Sequence, residues 1–141
     1  MSSAPETRSA RRGPLVVAAG LLAAFLLSSL VNALIAVPAH QLFNVSESFD
    51  ALQPRSYGSL TAMGVLAGAT GWAVVRKLAR DPENLLRRLV PTVLAISFVP
   101  DFFQVDKGGA AGVMALMLMH VVITVIAVAT YRRVMPVMSL S

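Results

Sequence analysis

Cysteine is absent from the 141 residues. That removes disulfides, thiolate catalysis, iron–sulfur clusters and thiolate-bound zinc together. Charge is scarce as well: 13% of residues are charged, against about a quarter in soluble domains. There are two histidines, too few to build a zinc site that wants three or four ligands from a compact set. No phosphate-cradling glycine loop, nucleophile elbow or buried pair of carboxylates is legible, so the sequence points away from an enzyme and implies no cofactor and no metal. The remainder is 56% hydrophobic, with a mean hydropathy of +0.71. The expected partner is the lipid bilayer, and the expected location is the cell membrane as a multi-pass protein. A net charge of +5 does not argue for nucleic acid, because the basic residues flank apolar runs instead of forming one soluble face.

A hydrocarbon core about 30 Å thick needs roughly 20 helical residues. Three apolar stretches meet that length: Pro14 to Val37, Tyr57 to Val75, and Gly109 to Tyr131. A further run, Leu89 to Val99, is too short by itself and must draw in its flanks to cross. Asp81-Pro82-Glu83 reads as an N-cap, a proline in the first turn and an acid beside it, which starts that helix near Pro82. The fold class is therefore all-α, a transmembrane four-helix bundle. Residues 1–13 form a basic cytoplasmic tail, 14–133 a single transmembrane domain, and 134–141 a short cytoplasmic tail.

Lysine and arginine set the orientation. Arg8, Arg11 and Arg12 precede the first span, Arg76, Lys77, Arg80, Arg87 and Arg88 follow the second, and Arg132 and Arg133 close the fourth. The two remaining loops hold Glu47, Asp50 and Arg55, and Asp101, Asp106 and Lys107, and are net negative. By the positive-inside rule both termini are cytoplasmic. The first span is not read as a cleaved signal peptide, although Val37-Pro38-Ala39 is a passable cleavage site, because its apolar run exceeds the 7–15 residues typical of such leaders.

Membrane helices approach where side chains are small. Gly64, Gly68 and Gly71 make a GxxxG stripe on the second span, extended by Thr61, and read first as packing within the bundle. A homo-oligomer or a membrane-protein partner meeting the Gly64/Gly68 face stays open. Gly20, Ala24, Ser28 and Asn32 repeat every four residues on the first span. Trp72 reads as an interfacial indole.

Polar side chains inside the spans form a candidate intramembrane site. At 1.5 Å per residue, Asn32 and Asp101 lie roughly 10 Å outward of the midplane, Ser28 and Ser97 about 3–5 Å outward, and His120 near the centre. Thr124 lies about 6 Å inward, on the His120 face. His120 should point into the bundle, with Ser28, Ser97 and Thr124 as hydrogen-bond partners. Asp101, after Pro100 and before Gln104 and Asp106, reads as the wet outer end of the third span, with a polar vestibule leading to His120 as the alternative.

The basic entry to the first span, the glycine-rich phrase GVLAGATGWAVV, the phrase ISFVPD and the run ALMLMHVVIT together resemble a family: small actinobacterial four-helix membrane proteins known as a domain of unknown function. The resemblance spans Arg11 to Arg133 and implies a four-helix bundle in the cell membrane with no established activity. The leading functional expectation is a structural or accessory membrane protein whose polar interior fixes helix pairing. The alternative is a small transporter or proton-linked subunit using His120.

Overall fold

Proline opens three of the helices at the first position, where its missing N–H costs nothing and its fixed φ suits the first turn. In the computed structural model, which describes residues 13–137, these are α1 (Pro14–Leu42), α2 (Pro54–Leu78) and α3 (Pro82–Ser97). A single turn, α4 (Val99–Phe102), and a long helix, α5 (Val105–Val134), complete the chain, and a 3-10 turn (Asp50–Leu52) precedes α2. The basic tail expected before residue 13 and the last four residues of the C-terminal tail lie outside the described residues. α1, α2 and α5 are long and apolar enough to cross a membrane. At 16 residues, α3 is about 24 Å long, short of a bilayer core, as its interrupted apolar run suggests.

α3 begins where the Asp81 motif places it. The Asp81 carboxylate accepts from the Asn84 N–H at 3.1 Å, and Glu83 lies in the first turn. α1 departs from expectation by continuing through Pro38 to Leu42, so the Val37-Pro38-Ala39 sequence lies within a helix. It stops where Asn44 takes a left-handed conformation (φ 52) and the Val45 N–H turns back to the Ala39 carbonyl. Asparagine is among the few non-glycine residues that tolerate such a φ. α5 is broken at Gly109, whose φ of 63 and ψ of −176 are reserved for glycine.

The packing of α1 is the reverse of a soluble helix. Ala24, Ser28, Asn32 and Ala36, four residues apart, are buried, while Leu22, Leu26, Leu30 and Leu34 are all more than half exposed. Small side chains face the protein and large apolar ones face outward, which is the arrangement expected when the surroundings are as apolar as the core. The small stripe lets α1 lie against α5: a Cβ on Gly20 would come within 2.6 Å of Val134 Cγ1.

Two apolar clusters close the ends of the bundle. At the loop end, Val45, Phe49 and Leu52 from the α1–α2 connection pack on Ala36, Ala39, Leu116 and Met119. Phe49 fits because Gly108 and Gly112 have no side chains; a Cβ on Gly108 would meet its ring at 2.6 Å. At the other end, Trp72, Leu86, Tyr131 and Val134 form the second cluster. Phe49→Ala is expected to cost about 3–5 kcal/mol and Gly108→Ala about 1–3 kcal/mol, measured by thermal unfolding in detergent. Phe43→Ala, at an exposed neighbouring position, should leave the transition where it is.

Candidate functional site

The gap between α2, α3 and α5 is a cleft of about 490 Å³. α3 leaves it because it is held loosely, with Leu86 its one fully buried residue. Gly64, Ala67 and Gly71 of α2 and Leu89 and Val93 of α3 line the cleft and are exposed, so it opens sideways between those two helices. Trp72, Leu86 and Tyr131 close its far end. Its polar groups are few: Asn32, Thr61, Ser97, His120 and Thr124 reach it, together with Tyr57 and Tyr131.

Asn32 and Thr61 are both completely buried and joined across α1 and α2, Asn32 Nδ2 donating to Thr61 Oγ1 at 3.0 Å. The Thr61 hydroxyl gives its own hydrogen to the Tyr57 carbonyl at 2.5 Å. It can therefore only accept from Asn32, which fixes the amide with its N–H₂ toward Thr61. Asn32 Oδ1 is left buried without a hydrogen-bond partner.

His120 contradicts the expectation about its partners. Its Nδ1 lies 3.0 Å from the Leu116 carbonyl oxygen and 3.1 Å from Asp101 Oδ2, so none of Ser28, Ser97 or Thr124 is its partner. The nearer and better directed bond goes to Leu116. Asp101 Oδ2 sits beside the same nitrogen, buried and without a hydrogen bond of good geometry. Phe98, at the junction of α3 and α4, meets the imidazole edge to face at 6.2 Å. Asp101 is not the wet end of a span. It is 5% exposed, because Pro100 ends α3 at Ser97 and the α4 turn folds the carboxylate in toward α5.

The remaining polar residues divide. Ser97 donates to the Leu94 carbonyl in its own helix at 2.7 Å, and Thr124 lines the cleft one turn from His120. Ser28 is buried with its Oγ unpartnered and does not line the cleft. The structure thus brings Asp101 to His120 and Asn32 to Thr61, and leaves Ser28 apart.

The glycine stripe also divides. Gly68 is a packing glycine: a Cβ there would stand 2.8 Å from Tyr131 Oη, whose hydroxyl donates to the Val65 carbonyl at 2.5 Å. Gly64 and Gly71 meet nothing within 4 Å, so the reading of them as packing residues is corrected; they form the floor of the cleft. Trp72 turns into the bundle and not to its surface. It is buried, with Nε1 donating to the Met135 carbonyl at 3.0 Å and its ring tilted against Tyr131.

A family model described as a family of unknown function (DUF6069) matches residues 7–136, which takes in every helix of the bundle. The chain belongs to that family. No curated protein and no solved structure matches the chain. Membership in DUF6069 agrees with the resemblance carried by the third and fourth spans and assigns no activity.

The residues that sequence reasoning misses are Thr61 as a hydrogen-bonding partner and Tyr131 as a cross-link to α2. A signal exists for Thr61, since it lies on the same α2 stripe as Gly64 and Gly68 and outward of them, at the level of Asn32. A double-mutant cycle of Asn32→Leu and Thr61→Val should give a coupling of about 0.5–2 kcal/mol, the range of interhelical hydrogen bonds between membrane helices. Equilibrium unfolding in mixed micelles measures it, and zero coupling would show the bond to be idle.

Proposed function

We propose that this is an accessory membrane protein whose four-helix scaffold holds an apolar molecule of the bilayer in the cleft between α2, α3 and α5. The observation that carries the reading is the cleft itself. Its volume falls within the range of about 300–1,000 Å³ common for small-molecule sites, and its walls are apolar with a few polar groups, most of them toward the loop end, as such sites usually are. It opens sideways between α2 and α3, a route for a molecule already dissolved in lipid. The bundle sits with both termini in the cytoplasm, as the basic turn between α2 and α3 and the basic end of α5 favour.

A proton-linked carrier is the second reading, favoured by the contact of His120 with Asp101. A carrier needs a polar route toward both faces, whereas the Trp72, Leu86 and Tyr131 end of the cleft is packed apolar surface. Binding therefore accounts for the geometry better than passage.

Trp72 is the single tryptophan and lines the cleft, so it reports occupancy directly. In nanodiscs of saturated phosphatidylcholine, a terminally brominated dodecyl chain should quench Trp72 saturably. Gly64→Leu, whose Cβ meets nothing within 4 Å, should fill the cleft and remove the saturable component without lowering the unfolding temperature. Quenching that is linear in probe and indifferent to Gly64→Leu would refute the binding reading. Orientation is checked separately: a reporter enzyme active only outside the cytoplasm should be silent when fused after Ser141.

A further inference from the structure

The ends of the cleft differ chemically, and the difference specifies the head of its occupant. At the loop end, one acceptor on the cleft wall stands without a protein partner. Asn32 Oδ1 is unpartnered too, because Thr61 has already committed its hydrogen to Tyr57, but the atom is fully buried and out of an occupant's reach. The acceptor on the wall belongs to His120. The Leu116 carbonyl and the Asp101 carboxylate both stand at Nδ1; since neither can donate, that nitrogen carries the proton, bonded to the carbonyl with the carboxylate alongside. The other nitrogen, Nε2, then carries a lone pair, and no hydrogen bond reaches it among the described residues.

An acceptor set in apolar walls calls for a ligand that brings a hydrogen of its own, and the Thr124 and Tyr57 hydroxyls, which also line the cleft, can donate back to the same head group. An acceptor left unmade in such surroundings is costly, so it selects for a donor. A carboxylate or a phosphate would place more acceptors against it and bring charge between apolar walls. An ester or an ether would offer it no hydrogen. We infer that the cleft takes a hydroxyl-headed apolar molecule, its O–H donating to His120 Nε2 and its chain lying along the glycine floor of α2 toward Trp72. Thr61 and Trp72 are separated by about 16 Å of helix, which sets the length of chain accommodated. This rests on the proposal that the cleft binds a bilayer molecule.

The test uses the full chain in the same nanodiscs, with Trp72 as reporter and two probes: 12-bromododecan-1-ol and its methyl ether. The alcohol should bind about 5–10-fold tighter than the ether, the value of a hydrogen bond of ordinary strength. In His120→Phe the alcohol should fall toward the ether while the ether is unchanged, the ether thus verifying that the cleft is still formed. Equal binding of both probes to the unaltered protein, or an alcohol preference that survives His120→Phe, would overturn the inference while leaving the cleft a binding site. Absence of saturable quenching by either probe would overturn the binding reading itself and the inference with it.

Discussion

Close approach of α1 to α5 is the constraint on which the rest of the bundle depends. With large apolar side chains turned outward, α1 buries mainly small ones, Ala24, Ser28, Asn32, Ala36 and Ala39, and dispersion between closely spaced backbones must do what hydrophobic burial does in water. Glycine deepens the contact where Gly20 lies beneath Val134, and on α5 Gly108 makes room for the Phe49 ring of the α1–α2 connection. Once α1, α2 and α5 are drawn together, α3 has no equivalent small stripe with which to follow. Leu86 is its one buried residue, with Val90 packed beside it, and the space it fails to fill is the cleft.

The same constraint explains why the polar groups sit where they do. A stripe narrow enough for close packing cannot bury a large polar side chain without a partner, so Asn32 is joined to Thr61 on the facing helix. Tyr131 can cross to the Val65 carbonyl because Gly68 offers no Cβ to hold the ring away. Trp72 is drawn inward by the Met135 carbonyl at the end of α5, where the helix has run out of N–H donors for its last oxygens.

Much of this is legible in the amino-acid order. The three long helices follow from apolar length, the start of α3 from Asp81-Pro82-Glu83, and the inner face of α1 from its four-residue spacing of small side chains. The site is legible only in part. Depth along parallel rods places Asn32 and Asp101 at one level, but does not choose which helix face each presents to which neighbour. Asp101 escapes such reasoning because Pro100 gives the same signal for a helix that stops and for one that stops and folds back as α4. Depth also matches His120 to hydroxyls at its own level, yet a histidine in a helix can satisfy Nδ1 on the carbonyl one turn back, as it does with Leu116. Gly64 and Gly71 resemble packing residues for a related reason: spacing identifies the stripe, and only the position of α3 decides whether anything covers it.

Asp101 governs the chemistry of the cleft without lining it. The carboxylate stands behind the imidazole, 3.1 Å from Nδ1. Carboxylate and carbonyl at one nitrogen determine which nitrogen carries the proton, the familiar role of a second partner to histidine. An acid exposed in the cleft would bind cations or repel lipid headgroups. Set behind His120, it instead converts the ring into an acceptor directed away from itself, and the apolar walls of α2 and α3 ensure that whatever meets that acceptor must carry a long greasy body as well as a hydrogen to give.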